Sequence, residues 1–149
     1  MMARTLCTAL FVCCCTAAAL AAPARYVGSA ACEPCHSEQH ENFQKYSSKA
    51  RSWESVKKML PKLTSSEARE CYACHTTGYG QGGFESFEKT PELANLSCEA
   101  CHGPGSVHAE SGDTADIRRT PDVRNCITCH NEERVKNFKF KPMLYHGGH

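Results

Sequence analysis

Four times in 149 residues the chain spells Cys-x-x-Cys-His, at Cys32-Cys35-His36, Cys71-Cys74-His75, Cys98-Cys101-His102 and Cys126-Cys129-His130. A chain that carries this box every 27 to 39 residues must fold around whatever the boxes hold, because little sequence is left between them. The spacing is the attachment signature of c-type haem. Two thiols add across the vinyl groups of one haem, and the histidine that follows turns its imidazole onto the iron. The boxes predict four covalent haems, with all eight of these cysteines as thioether sites and His36, His75, His102 and His130 as proximal ligands. Zinc ribbons and redox dithiols also use Cys-x-x-Cys, but neither asks for a histidine directly after the second cysteine.

The other four of the 12 cysteines are Cys7, Cys13, Cys14 and Cys15, all near the N-terminus. There, Arg4 precedes an apolar stretch from Leu6 to Leu20, and Ala19-Leu20-Ala21 gives an A-x-A cleavage pattern with Pro23 just beyond. This pattern reads as a secretory signal peptide over residues 1–21, too short for a membrane span. A lipoprotein acylated at Cys13 to Cys15 is the alternative, but no Leu-Ala-Gly-Cys-like box is present. Cleavage leaves residues 22–149 as one domain without a spare thiol, so the expected product is an exported, periplasmic or extracellular protein without disulfides or a membrane span.

About 128 residues make one small domain, and four haems leave about 32 residues for each. Each macrocycle is a broad apolar plate, so side chains can bury themselves against porphyrin instead of against one another. The expected fold class is therefore mostly α with extensive irregular loops, a small multihaem cytochrome c whose core is the haem array. Charge adds little: without Arg4 the chain carries 16 Lys+Arg against 16 Asp+Glu, with a basic run at Arg134, Lys136, Lys139 and Lys141. That run serves as a solvated surface, as propionate partners or as a docking face for a redox protein. Nothing in it has the basic and aromatic pattern of nucleic-acid binding.

Local signals predict short helices that deliver the boxes. Thr64 followed by Glu67 is a capping box opening a helix into Cys71. Thr90-Pro91 and Thr120-Pro121 each place a threonine N-cap before a proline at the first helical position, ahead of Cys98 and Cys126. From Ser48 to Leu60, Trp53, Val56 and Leu60 share a helical face that Pro61 ends, with Trp53 packing on a haem or the core. Gly78, Gly80, Gly82 and Gly83 predict a tight loop, Gly103-Pro104-Gly105 a turn, and Glu110 to Arg119 a polar surface connection.

Of eight histidines, four are proximal, which leaves His40, His108, His146 and His149 as candidate distal ligands. His149 is the weakest, because chain ends are usually mobile. Met59 and Met143 give little support for a Met/His site.

The stretch from Cys71 to Tyr79, then Gly82-Gly83-Phe84, then Cys98 to His108, closely resembles the tetrahaem cytochrome c-554 family of periplasmic electron carriers, and the similarity runs from about Val27 to His146. The resemblance implies that His108 is a distal ligand to a different haem from that of its neighbouring box. It also implies a like role for His146, after Phe138 and Phe140, and a five-coordinate iron on His75. Family members commonly carry a histidine in the stretch that here runs from Phe43 to Ala50, and Lys49 stands in its place. Either His40 takes over that role, Lys49 itself binds after losing its proton, or the iron is open.

Bis-histidine iron has no vacant position and favours outer-sphere electron transfer at low potential. The leading expectation is thus an electron carrier passing electrons between redox proteins. Two others stand beside it: a haem enzyme acting on nitric oxide or nitrite at the His75 iron, with Tyr72, Tyr79 and Glu99 as unplaced acid or base groups, and a subunit of an extracellular haem filament joined through His146 or His149.

Overall fold

The structure is a computed structural model, and it describes residues 22–131. Within them the chain forms six α-helices: α1 (Ser37–Tyr46), α2 (Trp53–Met59), α3 (Ser65–His75), α4 (Glu99–His102), α5 (Ser106–Ser111) and α6 (Val123–Ile127). Short 3₁₀ turns and irregular loops join them, and no strand occurs among the described residues. The fold is mostly α with extensive loops, as the sequence implies. The signal segment 1–21, the basic run from Arg134, Met143, His146 and His149 lie outside the described residues.

The predicted capping box of α3 is complete. Thr64 Oγ1 accepts from the Glu67 N–H at 3.4 Å, and the Glu67 carboxylate accepts from the Thr64 N–H at 2.7 Å. The other two predicted caps are not made. Thr90 Oγ1 instead accepts from the Glu85 N–H and donates to the Ser86 carbonyl, so Pro91–Leu93 is a single 3₁₀ turn that never reaches Cys98. At α6 the capping residue is Asp122, which forms a reciprocal box with Asn125, while Thr120 and Pro121 precede the helix. A carboxylate two positions later captured the first N–H groups, which a positively polarised helix start favours.

The single helix expected from Ser48 to Leu60 is broken. Ser48–Arg51 is 3₁₀, and α2 follows and ends at Met59, with Pro61 just past that end, as expected, in the 3₁₀ turn Leu60–Lys62. The break has a cause: the Trp53 N–H donates to Asn95 Oδ1 at 2.9 Å instead of to the carbonyl four residues back. Ser52 reinforces it by donating to the His75 carbonyl at 2.7 Å and accepting from the Leu96 N–H at 2.9 Å. These bonds seat α2 on the end of α3.

Trp53 is the centre of the apolar core, with Val56, Phe84, Leu93 and Ala94. Its ring lies 5.5 Å from Phe84, 5.9 Å from Tyr72 and 5.4 Å from Phe87. Each such aromatic pair adds about 0.5–1.5 kcal/mol beyond its buried area. Thr77, fully buried, ties the glycine loop to this core: its hydroxyl donates to the Asn95 carbonyl and accepts from the Ser97 N–H, and its carbonyl accepts from the Phe84 N–H. Among the described residues only eight apolar side chains are buried and three are alanines, against seven buried polar ones. So small a core cannot carry a domain alone.

Candidate functional site: four haem-attachment turns

Each box is one helical turn. In boxes 1, 3 and 4 the histidine N–H bonds to the carbonyl of the first cysteine, at 2.9, 3.0 and 2.9 Å. Box 2 occupies the last turn of α3. Residues i, i+3 and i+4 of a turn share one face, so the spacing presents two thiols and an imidazole together. That is the donor set one haem c requires: a pair of thioether sites and one axial ligand. Among the described residues no three Cys, His, Asp or Glu side chains converge as they would to hold a bare ion.

Ring nitrogens test the fit further. His102 Nδ1 lies 2.7 Å from the Arg118 carbonyl, and His108 Nδ1 lies 2.8 Å from the Asp113 carbonyl. A carbonyl only accepts, so Nδ1 carries the proton and Nε2 is left with the lone pair a metal needs. His75 differs: its Nδ1 is buried without a hydrogen-bond partner among the described residues. Burial and the nearby Lys49 ammonium both lower the pKa of His130, which favours the neutral imidazole that binds metal.

The structure brings His108 to box 1. The His36 and His108 ring centroids are 6.1 Å apart and their planes differ by 24°. A metal-bound imidazole nitrogen sits about 2 Å from the ion, and the centre of a ring with ~1.33 Å bonds lies about 1.1 Å behind it, so two imidazoles on opposite sides of one ion have centroids roughly 6 Å apart. The residues fit the group. His40, four residues after His36 in the same helix, has Glu33 as neighbour, with Nδ1 3.8 Å from the carboxylate. Met59 is about half exposed.

Side-chain contacts order the boxes in space. Cys32 and Cys98 lie side by side, joining boxes 1 and 3: as free thiols before haem attachment, their contact lowers the pKa of Cys98 and raises that of Cys32. Cys129 Sγ approaches the Ala73 carbonyl at 3.9 Å, joining boxes 4 and 2. Lys49 acts electrostatically on Cys101, Cys126 and His130 at once, so it lies where boxes 3 and 4 meet. Box 1 thus neighbours box 3, box 3 neighbours box 4 and box 4 neighbours box 2, while Ser52 also links the His75 carbonyl of box 2 to the Leu96 N–H just before box 3.

Two groups change their reading. Tyr72 and Tyr79 pack edge to face, centroids 5.4 Å apart, and burial raises Tyr72 above an ordinary phenol. Glu99, 2 % exposed, is spent on backbone N–H groups of residues 27, 28 and 105. Sequence reasoning did not foresee that role, because its partners are main-chain groups. The only sequence signal was the position itself, a carboxylate between two box cysteines with Gly-Pro-Gly just after.

Comparison with known proteins agrees with this site. Residues 31–103, which contain boxes 1 to 3, match the family model described as cytochrome c554 and c-prime. Cytochrome c-554 of Nitrosomonas europaea is 32 % identical, over 68 % of this chain and 51 % of the relative, so the chain spans about half the length of the curated relative it matches. No solved structure matches. Three boxes wound as single helical turns, a His-Gly-Pro-Gly turn after the third, and a family match over those same residues lead to one conclusion: the chain belongs to the cytochrome c554 and c-prime family and carries covalent haem c.

Proposed function

We propose that the protein is an exported electron carrier with four haem c groups, at least one of them bis-histidine, that passes electrons between redox partners. The observation that carries this reading is the facing pair His36 and His108, 6.1 Å apart at their centroids, beside box 1. Haem c supplies one-electron chemistry, its iron alternating between ferric and ferrous. The protein's own residues supply the frame. Cys32, Cys35, Cys71, Cys74, Cys98, Cys101, Cys126 and Cys129 hold the groups, and His36, His75, His102 and His130 are their proximal ligands. His108 would be the second histidine ligand at box 1, which would suit outer-sphere transfer. His146, His40 and His149 are the remaining distal candidates.

The contacts between boxes 1 and 3, and between boxes 4 and 2, support close spacing of neighbouring groups. No helix among the described residues is long and apolar enough to cross a membrane. Export by cleavage of residues 1–21 would leave residues 22–149 as a single haem-binding domain. The intact mass of the exported protein should exceed the cleaved chain by four haems, and a smaller increment overturns the count. Electron paramagnetic resonance of the oxidised protein should show low-spin haem. A high-spin signal that vanishes with nitric oxide would instead favour an enzyme working at the His75 iron.

A further inference from the structure

We propose that Glu99 is a positioning residue for the box 1 haem site: its buried carboxylate fixes His108 opposite His36 and places a fixed negative charge beside that site. The inference rests on the reading that box 1 carries a haem held by this pair.

The carboxylate joins three segments. It accepts from the Val27 N–H at 3.0 and 3.1 Å, from the Gly28 N–H at 2.8 Å and from the Gly105 N–H at 2.8 Å, with the Ser97 hydroxyl at 3.5 Å. The first segment continues from Gly28 through a 3₁₀ turn, Ser29–Ala31, into Cys32 and His36. The second continues from Gly105 into α5, which carries His108. The third is box 3 itself. A second clasp holds the first two together: the Arg25 N–H donates to Ser106 Oγ at 2.8 Å and the Ser106 N–H to the Arg25 carbonyl at 3.1 Å.

The backbone on both sides is shaped for this contact. Gly28 takes φ +82°, a conformation side chains rarely adopt, and a Cβ on Gly105 would stand 3.3 Å from Glu99 Oε1. The two histidines therefore face each other because one carboxylate gathers the peptides that lead to each. Bonds from N–H groups to an acceptor-only carboxylate are the strong, charge-assisted kind. Its charge is felt locally, since Glu99 raises the pKa of Tyr26, after the larger effect of burial. A buried anion stabilises ferric over ferrous iron and so lowers potential.

The test uses the exported holoprotein and the variants His108→Ala, Glu99→Gln and Glu99→Asp. His108→Ala should turn one low-spin haem high-spin, and added imidazole should restore it. Glu99→Gln sets an amide against backbone donors and removes the charge. It should lose most of the same low-spin signal, recover it with imidazole, and show a midpoint potential shifted upward. Glu99→Asp keeps the charge on a shorter arm, and should give the high-spin signal with a smaller upward shift than Glu99→Gln. A Glu99→Gln protein with four haems and unchanged spin state and potentials overturns the positioning role. If that variant does not accumulate with four haems, Glu99→Asp decides: a spectrum identical to the parent's overturns the role equally. If His108→Ala leaves every haem unchanged, the ligand pairing itself falls, an outcome distinct from the failure of Glu99 alone.

Discussion

At the scale of single residues, most of the site is read from short-range chemistry, and the rest from contacts no sequence displays. The grouping of eight thiols and four histidines into four boxes is legible because one helical turn sets their geometry. His108 is a candidate by histidine count, its distal role is implied only by the family resemblance, and the structure shows its ring against His36. Glu99 was legible only as an acid. Its true partners lie 71 and 72 residues away and are peptide N–H groups, which every residue but proline offers. Gly83 has a similar hidden constraint: a Cβ there would stand 2.4 Å from the Thr77 carbonyl, which the Phe84 N–H uses. Gly83→Ala is expected to cost roughly 1–3 kcal/mol through forced backbone strain, measured by denaturant unfolding of the holoprotein, and a change within ±0.5 kcal/mol would contradict it.

Elements were legible where their signals were local. The α3 cap was read correctly because both halves of the Thr64 and Glu67 box lie within four residues. Thr90 was misread because loop groups at Glu85 and Ser86 took its hydroxyl, and the helix through Ser48 to Leu60 because Asn95 took the Trp53 N–H. Thr64→Ala should lower stability by about 1 kcal/mol, read as a lower thermal midpoint. The cap also has a pH signature. The Thr64 N–H and hydroxyl, bonded to the Glu67 carboxylate, hold it below the usual range. A depressed carboxylate contributes above its unfolded value and loses that contribution as pH falls through the folded one. The midpoint gap between the parent and Glu67→Gln should thus be full above about pH 5 and close as pH drops below about 4. A gap that widens in acid would contradict the assignment.

For the whole molecule, the small apolar core is the decisive quantity. Eight buried apolar side chains, three of them alanines, leave a described region of this size short of hydrophobic area. Chain exported without haem attachment is expected to lose cooperative thermal unfolding and much of its helical circular dichroism, whereas the holoprotein unfolds in one transition. A haem-free chain that melts as sharply as the holoprotein would show that the polypeptide frame is self-sufficient.

The Glu99 clasp also has a consequence for assembly. A chain delivered N-terminus first presents Cys32 and Cys35 long before residues 99 and 105 exist on the same side of the export machinery. On the proposed export, box 1 would emerge as open chain and His108 would follow only after box 3, closing a loop of more than 70 residues. A group taken up at box 1 would thus wait for its second ligand until box 3 has passed, with only box 4 still to come.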